Sequence, residues 1–435
     1  MVKESDFGGG ILFFLLPAGI FIFYLAPALF LSLWGGGEGE SGLLLMSAAV
    51  ITSYFLLWAF KVDLLIFFPL VAFLRRLGVG VVSRGAMYVI AISYLVLMAY
   101  VMLTAPTIPA FDAFRGCGID WLAQGRETFL RARSGWEASL NYMYSMYRSF
   151  LAPLVVCYLY ATGDRFRHAF LIAFAATLML TLEKSVAVFI FAPLACLFVG
   201  SKRYHCAIFV VFLMLLSIAG TSFLARGGLG RADAAGCSVG VKGAADAAGF
   251  SVGVKGAADL DQSMSSVPAR YNKFNFGGQV GYIANRIIYI PYITAIDWIR
   301  YHREVLHGDY LHGRGISLVA LIFGENRIRI DREVFRFQWG QNSTGTGAAN
   351  TVFFVDAYVN FGWIGCFLYN LAVVFIVRIV TLSDVVGIQA AMVVPMFYLV
   401  FNSLTAMMFS GAIFFAILLA IFSKGHERGM GIGDA

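Results

Sequence analysis

Four ionisable side chains interrupt apolar runs of this sequence: Glu183 and Lys184 in TLEKSVAVFIF, Arg286 in GYIANRIIYIP and Asp356 in FFVDAYVNFG. Ionisable groups within or beside apolar spans are costly and mark function by default. A carboxylate at Asp356 must face protein or a water-filled cavity, since lipid would not tolerate it; a salt bridge or a helix N-terminal charge is the competing reading. Arg286 has no acid three or four residues away on either side, and its planar fork of donors suits phosphate oxygens. Lys184 snorkelling to an interface beside Glu183 is the plain reading of that pair. A second basic cluster, Arg126, Arg131 and Arg133 in RETFLRAR, is explained almost as well by a solvated helix face. His302, His307 and His312 recur every five residues, which does not put two on one helical face, and Gly308 and Gly313 break helix between them. That spacing argues against a metal site and leaves surface or proton-transferring histidines, His312 among them. No phosphate-binding loop, nucleophile elbow, zinc motif or dinucleotide fingerprint accompanies these residues.

The elements that hold them must lie in lipid. Of 435 residues 60% are hydrophobic and 13% charged, where soluble proteins carry about 25% charged residues. Such a chain cannot coat a water-soluble globule. Ten apolar runs approach the length of about 20 residues that crosses a bilayer: 11–34, 43–60, 86–103, 150–162, 168–182, 186–199, 207–224, 354–377, 385–404 and 406–422. The first is expected to be a retained span rather than a removed leader. Arg75, Arg76, Arg84, Arg165, Arg167, Lys202, Arg203, Lys424 and Arg428 fall on one side, which the positive-inside rule makes cytoplasmic together with both termini. The net charge of +7 follows from that rule and not from nucleic-acid binding. Residues 64–74 read as an interfacial or half-inserted element.

Two long segments remain outside, 105–148 and 225–350. The second holds a tandem duplication at 233–258, DAAGCSVGVKGAA followed by DAAGFSVGVKGAA, read as a flexible insertion. Its Cys237 could pair with Cys117 on the outer side. Residues 281–301 read as an apolar-aromatic helix with a kink or stop at Pro291, and RIRIDREVFRFQWG as a short extended segment.

The arginine five residues before a proline (Arg286, Pro291), the polar segment after it, the approach NTVFFVDAYVNFGWIG and the run LEKSVAVFIF resemble the Wzy-type O-antigen polymerases. The resemblance covers the span plan broadly and residues 280–378 more specifically. It implies an all-α polytopic membrane protein of about 10–12 transmembrane helices with two large periplasmic loops and a GT-C-like glycosyltransferase architecture. It implies an enzyme of the bacterial inner membrane that polymerises undecaprenyl-diphosphate-linked repeat units, donor and acceptor both lipid-linked, with no cofactor or metal and with a chain-length regulator protein as partner. Arg286, Lys184, Arg131 and Arg126 would hold the diphosphate. Asp356 would serve as base with His312 or Glu183 in reserve, and Glu183, Tyr289, Asn350 and Tyr358 would touch the glycan. Two other functions compete. An O-antigen ligase should carry His beside the Asn of the approach, where this chain has Ala349 before Asn350. A flippase or secondary transporter should show midplane charges and repeated spans.

Overall fold

The computed structural model describes residues 9–33, 38–63, 65–67, 69, 83–115, 122, 125, 128–129, 133, 135–182, 186–224, 285–340, 347–383 and 385–422. The duplicated insertion 233–258, the segment 70–82, Cys117 and Cys237 lie outside them.

Among the described residues every regular element is helical: α1 Gly10–Leu33, α2 Glu38–Phe60, α3 Arg84–Thr104, α4 Pro109–Phe114, α5 Ala138–Met146, α6 Ala152–Thr162, α7 Arg167–Met179, α8 Val186–Gly200, α9 Tyr204–Leu224, α10 Ile290–Glu304, α11 Ser317–Ile322, α12 Ile330–Trp339, α13 Phe353–Thr381, α14 Val386–Tyr398, α15 Leu404–Phe409 and α16 Ile413–Phe422. Five are long and apolar enough to cross a membrane, α1, α2, α3, α9 over Tyr204–Thr221, and α13; four shorter apolar helices correspond to α7, α8, α14 and α16. The chain is thus an all-α, multi-pass membrane protein.

Within the apolar window of each span, 61% of α13 is buried against only 17% of α9, so α13 is central and α9 peripheral. On α9, Ile208, Phe209, Phe212, Leu215 and Leu216 face outward, as lipid tails allow. The core forms where α13 packs on α2 and α14 packs on α1, α6 and α8. Helices α2 and α13 run parallel. At mid-length Asn370 Nδ2 donates to the Val50 carbonyl at 3.0 Å and to Ser53 Oγ at 2.7 Å. One end of the pair is closed by Arg378, whose Nε donates to Asp63 Oδ2 at 2.6 Å, whose Nη2 donates to the Trp58 carbonyl at 2.7 Å, and whose guanidinium lies 4.0 Å from the Trp58 ring centroid. The other end, where α2 and α13 begin, is covered by α10 and forms the cap end.

Three π turns share one sequence device. Phe21–Leu25 precedes Pro27, Tyr147–Leu151 precedes Pro153, and Asn285–Tyr289 precedes Pro291, each turn ending two residues before the proline. Proline removes the N–H that the carbonyl four residues back would use, and its ring crowds that carbonyl. The widened turn relieves both problems while the helix continues. Of the kink or stop expected at Pro291, the stop does not occur: the widened turn lies before it and α10 runs on to Glu304, with the proline at the tolerant start of the helix. By the same device α5 and α6 join into one rod that carries Arg148 over the rings of Tyr144 and Phe189, at 5.3 and 4.8 Å.

Of residues 327–340, expected to be extended, Ile330–Trp339 form α12. Ile328 and Ile330 alternate like a strand, but Ile330 and Val334 are four apart and both buried, which is the helical period that decides. Within the segment 105–148, expected to lie outside, Arg133 is structural. It donates to the carbonyls of Phe129 and Val101 at 3.2 and 3.1 Å, to Thr104 at 2.8 Å and to Glu137 at 3.2 Å, fastening the end of α3.

Candidate functional site

The site begins with a break in α13. Gly362 adopts φ 66° and ψ −154°, a conformation closed to most L side chains. In an unbroken helix the carbonyls of Val359 and Asn360 would accept from the N–H groups of residues 363 and 364. Here they accept instead from Leu311 N at 3.1 Å and His312 N at 2.8 Å, so the segment after α10 is sewn onto the side of α13. Tyr310 fills the space at the break: a Cβ on Gly362 would lie 2.8 Å from its Cζ.

That arrangement brings together two groups of polar side chains in the first turns of α13. On one flank Asp356 is 6% exposed. Asn360, one turn on and fully buried, donates Nδ2 to Asp356 Oδ1 at 3.2 Å and to the Asp356 carbonyl at 2.9 Å. Asp356 Oδ2, Asn360 Oδ1 and nearby Thr351 Oγ1 are buried without a hydrogen-bond partner. Gly315 crosses so close that a Cβ there would meet Asn360 Oδ1 at 2.9 Å. On the other flank His302 is buried, with Tyr310 stacked on it at 5.1 Å between centroids and Tyr358 edge-on at 5.4 Å. Its Nε2 also has no partner. Burial holds the imidazole below its ordinary value of 6.5, opposed by the charge of Asp309 and the backbone of Gly308.

The covering layer is tied by polar contacts. Trp298 Nε1 donates to the Ala349 carbonyl at 2.8 Å, Ala349 N donates to the Asp331 carbonyl at 2.8 Å, and Gln338 Nε2 donates to Asp297 Oδ2 at 3.1 Å. These bonds hold α10, α12 and the approach to α13 as one unit over the carboxylate.

Of the residues singled out from the sequence, Asp356 and Tyr358 lie in this site. Tyr289 is buried in the π turn before α10, with its ring 6.3 Å from that of Tyr292. Asn350 is exposed on the approach. The side chain of His312 is also exposed, with φ 51°, while its backbone N–H makes the bond to Asn360. Arg286 stands second in its π turn, and its side chain, like Glu183, Lys184, Arg126 and Arg131, is outside the described residues. Among the described residues no three His, Cys, Asp or Glu side chains are placed to hold a metal ion. Asn360, Gly315, Gly362 and the buried role of His302 were not foreseen. The spacing Asp356 to Asn360, two polar residues one turn apart in an apolar run, is the signal that could have found the first of them.

No protein-family model matches the sequence, and no curated protein or solved structure matches it. The site offers a carboxylate oriented through one oxygen with the other free and, on the opposite flank, an imidazole whose basicity is lowered by burial.

Two outcomes follow from the geometry. Gly362→Ala is expected to cost roughly 1–3 kcal/mol, because it strains φ and drives a methyl into Tyr310; thermal unfolding in detergent would read this, and an unchanged midpoint would contradict it. The second concerns pH. A histidine held low in the folded state leaves the unfolded chain to bind the proton first, so stability falls as pH drops below 6.5. His302→Gln should flatten the unfolding midpoint over that range, and an unchanged pH slope would show that another group sets it.

Proposed function

We propose that this protein is an O-antigen polymerase of the Wzy type, a glycosyltransferase that joins undecaprenyl-diphosphate-linked repeat units at the periplasmic face of a bacterial inner membrane. The observation that carries this reading is Asp356: a carboxylate buried under the cap at the start of the central span, steered through Oδ1 by Asn360 and with Oδ2 unpartnered. In the reaction a hydroxyl of the acceptor glycan attacks the anomeric carbon of the donor. Asp356 takes the hydroxyl proton, the bond from the anomeric carbon to the diphosphate oxygen breaks, and the diphosphate leaves with the electron pair. Its developing charge requires fixed cations. Arg286 is the first of them, followed by Lys184, Arg131 and Arg126. Glu183, Tyr289, Asn350 and Tyr358 are assigned to the glycan.

In this reading the shorter apolar helices complete a set of about 10–12 spans in a GT-C-like plan, both termini are cytoplasmic, and a chain-length regulator protein acts beside the enzyme. The low charge content and long apolar helices support a lipid-borne substrate, and the covering unit of α10 and α12 supports a site that excludes water during transfer.

The test is a polysaccharide ladder from complemented cells. Arg286→Ala should lower elongation by about 100–1,000-fold, the usual cost of losing one charge-stabilising donor, so that long chains vanish and single-repeat glycolipid persists. Normal chain length in that variant would remove Arg286 from the diphosphate site.

A further inference from the structure

Residues 314–328 form a closed finger whose apex is apolar and bare. Its base is held by Ile328 N donating to the Arg314 carbonyl at 2.9 Å and by the ion pair of Arg314 Nε with Glu325 Oε2 at 3.3 Å. Helix α11 ends in a reciprocal backbone pair, Gly324 N to the Leu321 carbonyl at 3.2 Å and Glu325 N to the Ala320 carbonyl at 2.9 Å. Ala320 is buried beneath it, yet the next three side chains are among the most exposed large apolar groups described: Leu321 at 77%, Ile322 at 69% and Phe323 at 72%. Three consecutive bulky apolar residues in a stiff, hydrogen-bonded turn are not a solvated loop.

The depth of the finger follows from its fastening. The preceding chain is bonded to α13 at Val359 and Asn360, and a Cβ on Gly313 would meet Val319 Cγ1 at 2.5 Å and Phe361 Cζ at 3.1 Å, so α11 packs beside the Phe361 turn. On α13 the exposed apolar side chains begin immediately after the break, with Trp363, Ile364, Phe367 and Leu368, so the lipid-facing surface of the central span starts beside the finger. The finger therefore meets the central span at the hydrocarbon boundary. Beyond its apex Arg327 and Arg329 are exposed, and α12 adds exposed Arg332 and Arg336. An apolar tip followed by arginines, its nearest acid Glu325 already paired with Arg314, is the composition of a segment that lies in a membrane interface, its apolar face in the acyl region and its cations among anionic headgroups.

We propose that Leu321, Ile322 and Phe323 insert into the membrane leaflet on the cap side as a lipid wedge, with Arg327 and Arg329 on anionic headgroups. Because the same chain segment carries Gly315 across Asn360 and Tyr310 into the break at Gly362, the wedge mechanically joins the covering layer of the site to the bilayer surface. The inference does not depend on which reaction the site performs.

Purified protein reconstituted in phosphatidylethanolamine and phosphatidylglycerol vesicles, with a trace of phosphatidylglycerol carrying a diazirine in its acyl chain, tests it by photolabelling and peptide mapping. The peptide with Leu321–Phe323 should be labelled as strongly as the lipid-facing turn 363–368, while exposed α12 stays unlabelled. A labelled 363–368 peptide with an unlabelled finger would overturn the wedge, and so would crosslinking of the finger to a second copy or another protein. Replacing phosphatidylglycerol by phosphatidylcholine as the bulk lipid should weaken labelling of the finger; unchanged labelling would remove the part assigned to Arg327 and Arg329. Leu321→Ser with Phe323→Ser should abolish the finger signal and leave 363–368 labelled.

Discussion

Asp356→Asn is expected to reduce turnover on purified lipid-linked repeat units by about 100–10,000-fold, the range over which a positioned general base acts. The substitution preserves shape, and an amide oxygen at this position can still accept from Asn360 Nδ2, now 3.2 Å from the carboxylate. What is lost is the basicity of the second oxygen, which is buried and makes no bond to the protein. The unfolding temperature should therefore move little while turnover collapses. Wild-type turnover in Asp356→Asn would remove it as the base, and a loss of both folding and turnover would mark it as structural.

The second large effect lies at the opposite end of the same helix. Arg378→Ala should destabilise the protein by roughly 3–5 kcal/mol, because removing one partner of a buried ion pair strands the other charge. Asp63 is 0% exposed and takes Arg378 Nε at 2.6 Å, so the stranded group is a carboxylate with no route to water. Arg378→Lys should recover only part of this. An ammonium can restore the charge, but it cannot pair with Asp63, bond the Trp58 carbonyl and stack on the Trp58 ring together. Replacing both partners, Arg378→Met with Asp63→Leu, should restore much of the stability and show a large coupling energy in a double-mutant cycle. Additive single effects in that cycle would mean that the pair does not fasten α2 to α13.

The two sites differ in how far they could be seen in the sequence. The low charge content and the apolar runs lead directly to an all-α membrane protein, because composition alone forbids a soluble surface. Asp356 stood out for the same reason, as a charge that lipid would reject. Its partner did not: Asn360 is uncharged, and its role depends on the break at Gly362 and on the carbonyls that break releases to Leu311 and His312. The histidines show the limit of spacing arguments most clearly. Their five-residue repeat treats them alike, yet His302 closes α10 and is buried between two tyrosines, whereas His307 and His312 stand in left-handed turns with exposed rings. Arg148 was hidden by a different cause. In the sequence it only ends the polar segment 105–148, and the π turn before Pro153 carries it into the rod of α5 and α6. The extended reading of 327–340 failed over Ile330–Trp339 because two alternating isoleucines at its start outweighed a helical period that buries Ile330 with Val334.

The proposed transfer reaction is tested most directly by supplying purified protein in liposomes with undecaprenyl-diphosphate-linked repeat units and no added metal ion. A polymerase should yield a ladder of products that grow by whole repeats, with release of undecaprenyl diphosphate for each bond formed. Intact substrate after prolonged incubation with folded protein, or movement of the substrate across the bilayer without elongation, would contradict it.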